Sequence, residues 1–397
     1  MKKGWSEATI GELCQLATGG TPSKAKREYF EGGEIKWLVS GDVHQREIFD
    51  CEGRITESGL ENSNARYLPI NSVVIALNGQ GKTRGTVAML RTKATCNQSL
   101  VSIFPNDISQ LLPEFLFHNL AGRYSEIRRL TGDAGNERRG LNMPLIRSIK
   151  VPVPPLEEQK RIVAILDEAF EGLARARKNV ECNLESVREF FERAHRDALS
   201  AGLGDKQVAL SEVAEITSSL VDPRKHEFCD LPHVGAGNMN AASDRLVDVR
   251  TAKEEGLISG KYLFDEGTVL YSKIRPYLRK ACRPDFAGLC SADVYPVLPK
   301  VGLLDRDYLF HLLIGTDFTE YAIKGSDRAG MPKVNREHMF RYKFLLPSLE
   351  DQKSVASKLD QLMCDVFAMT GSYDAKIREL EHLQQSLLHK AFSGELS

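Results

Sequence analysis

The segment "PPLEEQK" at 154–160 returns as "PSLEDQK" at 347–353, an offset of 193 residues in a chain of 397. A repeat spaced at close to half the length constrains the fold more than any composition figure, because both halves must then build the same architecture. At the same offset "LNMPLIRSIKVPVPPLEEQK" (141–160) lies on "VNREHMFRYKFLLPSLEDQK" (334–353), and "FLFHNL" (115–120) lies on "YLFHLL" (308–313). Slightly looser offsets bring "ATCNQSLVSIFP" (94–105) onto "GLCSADVYPVLP" (288–299) and "NSVVIALNG" (71–79) onto "EGTVLYSKI" (266–274). The chain is a tandem duplication, and its length exceeds what one hydrophobic core ordinarily organises.

Each copy has two parts of different character. The first, 1–155 and again 202–348, carries short β-branched and aromatic runs such as "SVVIAL", "LVSIF" and "GTVLY" between Gly, Pro and Asn. That pattern predicts a mixed, strand-rich domain. The second, 156–201 and 349–397, predicts one long helix. From Leu156 to Ser200 there is no proline and a single glycine, Gly172. Apolar or small residues fall at Ile162, Leu166, Ala169, Leu173, Ala176, Val180, Leu184, Val187, Phe191, Ala194 and Ala198, steps of three and four with one stutter. The second copy repeats the seam at Val355, Leu359, Leu362, Val366, Met369, Tyr373, Ile377, Leu380, Gln384, Leu387 and Ala391, with Gln384 the one polar exception. Two helices with the same long seam are best satisfied by each other. The fold class expected is therefore α+β, a duplicated domain-plus-helix unit whose helices pair as an antiparallel coiled coil.

The quoted motif has a local explanation at each helix start. Pro154 and Pro155 end the extended chain, because a residue before proline avoids the α region. Glu157 and Glu158 then suit the positive end of the helix dipole, and Ser348 with Asp351 forms a capping box. Its chemistry reads as structural rather than catalytic.

Charge is the next discriminator. The net value of −1 gives no global sign of a polyanionic partner, yet the two helices are acidic and the domains carry the balancing positive charge. "KTRGTVAMLRTK" (82–93) and "VLYSKIRPYLRKACR" (269–283) are basic with no acid, and they occupy matching places in the copies. "GDAGNERRGLN" (132–142) and "GSDRAGMPKVNR" (325–336) are equivalent Gly-rich basic loops ahead of each helix. A lone basic run is usually a solvated surface; duplicated ones fit phosphate clamping, with Asn, Thr and Tyr available for base edges.

Together, "LATGGTPS", "VLYSKIRPYLRK", "VPVPPLEEQKRIVAILDE" and the two-copy layout resemble the specificity subunit of Type I restriction–modification systems. The resemblance covers the whole chain. It implies two target-recognition domains, 1–155 and 202–348, each reading one half of a split double-stranded DNA site. It further implies that helices 156–201 and 349–397 set the gap and carry methyltransferase subunits, two in number, with restriction/translocase subunits in the full complex. By the same resemblance that complex uses S-adenosylmethionine, ATP and magnesium, while this chain holds no cofactor, no metal and no catalytic residue. DNA-facing positions placed by resemblance are Thr18, Gly19, Gly20, Thr21, Lys82, Thr83 and Arg84 in the first domain. Their second-domain counterparts are Lys273, Arg275, Tyr277, Arg279 and Lys280, and the Gly-rich loops add Arg138, Arg139, Lys333 and Arg336. The second copy has "TSSLVDPRK" where the first has "GGTPS", which ranks Arg224 and Lys225 lower.

Other readings account for less. "ALNGQGKT" (76–83) fits a loose nucleotide-binding loop, but a true one needs Lys82 and Thr83 to open a helix, and a β-rich stretch follows. A methyltransferase would need an Asn/Asp-Pro-Pro-aromatic loop, and Val153 precedes the sole Pro-Pro. His118 and His311 match across copies within an apolar helical pattern and read as structural. The eight cysteines include no CxxC pair, which suggests reduced thiols in a cytoplasmic protein. The N-terminus lacks the apolar run of a secretory signal, and no stretch is apolar enough for a membrane span. A coiled-coil scaffold without DNA specificity explains the helices but leaves the basic loops unexplained.

Overall fold

The computed structural model describes residues 4–79, 81–130, 140–201, 204, 206–216, 219–326 and 332–396. The chain divides into two compact units, one formed by 1–179 with 376–397 and the other by 180–375. Each long helix is thereby shared, half of it belonging to each unit.

The first unit is built on a five-stranded sheet. Its strands are β1 (Cys14–Thr18), β2 (Glu47–Ile48), β3 (Val73–Ala76), β4 (Val87–Leu90) and β5 (Leu100–Pro105), in the order β1-β5-β3-β4-β2. Every residue of β3 and β4 is buried, as a central strand covered on both faces requires. Helix α1 (Pro113–Gly122) follows, and α2 (Leu156–Ala201) is the first long helix. A smaller sheet joins Arg54–Ile55, Ile35–Leu38 and Thr95–Cys96. An antiparallel ribbon, Ser6–Thr9 on Lys150–Val153, closes the domain just ahead of α2.

The second unit repeats this plan. Strands β6 (Ala214–Ile216), β7 (Val269–Ser272), β8 (Ala281–Cys282) and β9 (Val294–Pro299) form a sheet in the order β6-β9-β7-β8, followed by α3 (Arg306–Ile314) and the second long helix, α4 (Leu349–Ser393). Its closing ribbon pairs Lys206–Ala209 with Lys343–Leu346.

Within the first unit the helices run antiparallel. Arg161 donates to the Leu396 carbonyl at 2.7 Å, while Arg177, further along α2, pairs with Glu381 at 2.9 Å. Ile162, Leu166 and Phe170 share one core with Leu388, Ala391 and Leu396, and Phe392 meets Phe115 edge-on at 5.2 Å. In the second unit Ala198 and Leu199 join the core containing Val355, Ala356 and Leu359, whereas Phe191 lines a groove with Met363, Val366 and Phe367. The same antiparallel sense holds there.

The seam read from the sequence is the buried face. Ile162, Leu166, Phe191, Val355 and Leu359 are buried; Leu173, Val180, Leu184, Val187, Leu362, Val366, Tyr373, Ile377, Leu380 and Leu387 are half-buried. Met369 departs from the expectation, being 45% exposed, and Thr370 takes the inward place. After Val366 the seam steps by four and then three, where the sequence pattern suggested the reverse.

The repeated motif proves to hold a joint as well as a helix start. Gln159 and Gln352 are fully buried. Gln159 accepts from Leu112 N at 2.9 Å and donates to the carbonyls of Gln110 and Pro154 at 2.7 and 2.9 Å. Gln352 repeats all three bonds with Asp305 N, Leu303 O and Pro347 O. His118 and His311 are buried and tie α1 to Asp167 at 2.9 Å and α3 to Asp360 at 3.0 Å.

Candidate nucleic-acid interface

The strand register decides which loops converge. In the first unit Thr18 pairs with Val101, Ala76 with Leu100 and Ile75 with Val87, so the end of β1, the start of β5, the end of β3 and the start of β4 share one edge. The segments that leave this edge are 19–21, 97–99, 77–79 and 81–86. The short helix Ser40–Gln45, leading into β2, reaches the same place through His44, whose Nε2 lies 2.9 Å from Thr83 Oγ1. Thr18–Thr21 and Lys82–Arg84, far apart in sequence, are thus brought together.

Their roles at this edge differ. Gly19 and Gly20 are packing glycines, since a Cβ on Gly19 would stand 1.8 Å from the Cys96 carbonyl oxygen and one on Gly20 2.8 Å from Asn64. Trp37 Nε1 donates to Gly20 O at 2.9 Å and Arg66 Nε to Thr18 O at 2.9 Å, fixing the turn. Thr21 donates to Gln98 Oε1 at 2.6 Å on an exposed surface. Lys82 is exposed, while Tyr124 donates to its carbonyl at 3.1 Å and Arg128 caps Gly81 O. Thr83 and Arg84 are half-buried. The loop runs into strand β4 rather than a helix, which removes the nucleotide-binding alternative for Lys82 and Thr83.

The second unit presents the equivalent edge, where Ser272 pairs with Val294 and Tyr271 with Ala281. Loop 273–280 leaves it, and the Ile274–Lys333 bridge stitches the flank of the second Gly-rich loop to it. Here most of the sequence-predicted cations already have protein partners. Lys273 is held by the Ala292 carbonyl, lies 3.8 Å from Asp293 and sits over the Tyr295 ring; burial, with Lys333 nearby, lowers its pKa. Lys333 pairs with the same Asp293 at 2.9 Å. Arg279 bonds both carboxylate oxygens of Glu192 on α2, at 2.6 and 2.7 Å, and Lys280 donates to Ala236 O at 2.8 Å. Arg336 donates to Ile216 O at 3.3 Å, at the end of β6. Arg275 and Tyr277 are exposed at the tip. Arg224 pairs with its neighbour Asp222, and Lys225 lies 3.8 Å from Glu227. Arg138 and Arg139 lie outside the described residues.

Sequence reasoning missed His44, Arg66 and Gln98 at the first edge. No local motif marks them, because the sheet register alone brings these segments together. Among the described residues no group of three or more His, Cys, Asp or Glu is placed to hold a metal ion.

A duplicated unit whose sheet edge gathers polar loops, carried on paired helices, is an architecture with known relatives. The model for the Type I restriction modification DNA specificity domain matches residues 2–181 and again 205–370. The chain belongs to this family. Among specificity subunits, that of the Escherichia coli Type I restriction enzyme EcoDI is 24% identical over 436 residues, spanning 99% of this chain and 89% of its own. A solved chain from work on assembly and conformational transition of the type I R-M system superposes with a TM-score of 0.79 at 19% identity, covering 100% of this chain and 99% of that one. The HsdS subunit from Thermoanaerobacter tengcongensis gives 0.58 at 19% identity, over 100% and 98%. Both structures share the fold. The Type I specificity family accounts for the duplication, and the protein is a DNA sequence-specificity subunit with two recognition domains. No helix among the described residues is long and apolar enough to cross a membrane.

Proposed function

We propose that each sheet edge reads one half of a bipartite double-stranded DNA site, and that the paired helices fix the gap and dock two methyltransferase subunits. The observation that carries this reading is the convergence, in both units, of polar loops at the same edge of the same sheet. Thr18, Thr21, Lys82, Thr83 and Arg84 with Gln98 and His44 form one reading surface; Arg275, Tyr277, Lys333 and Arg336 form the other. Gly19 and Gly20 shape the first surface, and Lys273, Arg279 and Lys280 hold the second in position. The chain itself performs no chemistry: S-adenosylmethionine, ATP and magnesium are used by its methyltransferase and restriction/translocase partners, in the cytoplasm.

The test is a methylome. The chain is co-expressed with its methyltransferase and the DNA is sequenced with modification-sensitive single-molecule reads. A split motif with methyladenine in each half is expected; an intact complex that leaves no motif would overturn the reading. One heptad inserted at equivalent points of α2 and α4 should lengthen the gap and leave both half-sites unchanged.

A further inference from the structure

Two backbone hydrogen bonds close the tip loops of the two units at equivalent rungs, Ala76 N to Thr86 O and Ser272 N to Lys280 O. Counting back one and five residues from these rungs reaches Gly85 and Gly81 in the first unit, and Arg279 and Arg275 in the second. All four are left-handed, with φ of +84° and +59° for the glycines and +49° and +50° for the arginines. Glycine occupies that region without steric penalty, whereas a β-carbon crowds the following carbonyl. Counted from the closing rung, the second unit thus has two arginines in the left-handed conformation that the longer loop of its duplicate gives to glycine.

For Arg279 the protein itself supplies the reason. Its guanidinium makes two bonds to Glu192, and its carbonyl accepts from Ala242 N at 3.2 Å. The Arg275 side chain has no such reason. Its amide donates to Pro332 O and its carbonyl accepts from Leu278 N, each at 2.9 Å, bonds glycine would make equally well. Its side chain is exposed and has no hydrogen bond or ion pair among the described residues. Its basic neighbours Lys273, Arg279, Lys280 and Lys333 are all bonded to protein groups. Tyr277, 54% exposed, stands beside it, and Pro276 between them is buried, so the tip is anchored and not free to relax.

A β-carbon held in a strained backbone position, with its side chain unbonded among the described residues, points to use outside the molecule. Resting on the DNA-reading assignment above, we propose that Arg275 is a base-reading residue of the second domain, its planar fork donating to O6 and N7 of a guanine in the major groove. Among side-chain contacts to base edges, this is the commonest specific one. Tyr277 packs against the neighbouring base or sugar.

The experiment uses the full chain with its methyltransferase and compares the methylomes of wild type, Arg275→Gly and Arg275→Ala, alongside the melting temperature of each chain. Both variants should keep the gap and the other half-site while one guanine of one half-site becomes degenerate, discrimination there falling about 10- to 100-fold. Arg275→Gly should melt no lower than Arg275→Ala, since glycine relieves the left-handed strain. A motif unchanged in both variants overturns the proposal, as does a uniform loss of methylation at all sites, which marks a phosphate contact. If Arg275→Gly does not fold, the Ala variant decides alone. An intact wild-type complex without any motif overturns the DNA-reading assignment and this proposal with it; a wild-type motif that both variants preserve overturns this proposal only.

Discussion

Gln352 accepts a hydrogen bond from the backbone amide of Asp305 at 2.7 Å while wholly withdrawn from water. Asp305 in turn caps α3, accepting from Asp307 N and Tyr308 N at 3.0 Å. One glutamine therefore fixes the start of α3 against the start of α4, and Gln159 does the same for α1 and α2. Gln352→Leu would leave an amide and two carbonyls without partners in a dry joint. The expected loss is about 3 kcal/mol or more, read from the midpoint of urea unfolding. Gln159→Leu should behave alike, and a loss under ~1 kcal/mol in both would show that the joint does not depend on the side chain.

Arg283 is the ionic hub of the second unit. With its side chain 9% exposed, it meets Asp244 at 2.8 Å, Asp307 at 3.0 Å and Asp360 at 2.7 Å, and lies 4.3 Å from the Phe310 ring centroid. Removing it strands half-buried carboxylates, so Arg283→Met should cost about 3–5 kcal/mol. Arg175→Met, which breaks an exposed pair with Glu171, should cost under ~1 kcal/mol. Denaturant titration of the two variants side by side measures the contrast.

Acid sensitivity should follow the buried histidines. His195 Nε2 lies 3.3 Å from His311 Nδ1, and His311 reaches Asp360. Burial, with His311 and Arg279 adding to it, brings the His195 pKa down to about 3. Burial likewise lowers His311 despite Asp360; Asp360 stays acidic because bonds from His311 and Arg283 outweigh its own burial. The unfolded imidazole binds its proton near pH 6.5 and the folded one only well below that. Stability is therefore full above pH 6.5 and declines as pH falls toward 3. The second copy carries Leu388 at the position equivalent to His195. His195→Leu should remove a slope of about 1.4 kcal/mol per pH unit between pH 6 and 4, seen in urea unfolding across that range. An unaltered slope would place the acid sensitivity elsewhere.

The parts of the molecule legible in the sequence were those with a period. The duplication, the helix bounds and the seam from Ile162 to Leu387 depend on spacing alone, and only the Met369–Thr370 step went the other way. What could not be read was what faces what across the chain. Gln159 looked like one more polar residue of a helix start because two of its three partners lie 47 and 49 residues away. That Lys273 and Lys333 both lie near Asp293 could not be read either, because Asp293 belongs to a segment distant from one or the other in the chain. "GGTPS" was placed in a DNA-facing loop by resemblance, and nothing local showed that Cys96 and Asn64 leave no room for a Cβ at Gly19 and Gly20.

This distinction between shaping and reading can be tested at the first edge. Gly19→Ala would set a methyl group 1.8 Å from a backbone oxygen, so the turn must open and stability should fall by about 3 kcal/mol or more. Gln98 is exposed and its side chain is bonded only to Thr21, at 2.6 Å, among the described residues, so Gln98→Ala should change stability by less than ~0.5 kcal/mol. A glutamine amide can both accept from and donate to adenine, so Gln98→Ala should loosen one position of the half-site read by the first domain. Gly19→Ala should weaken methylation of every site together. Thermal unfolding and methylome sequencing of the two variants separate these outcomes. A Gln98→Ala motif identical to wild type would remove Gln98 from the reading surface and leave Lys82 and Thr83 to carry it.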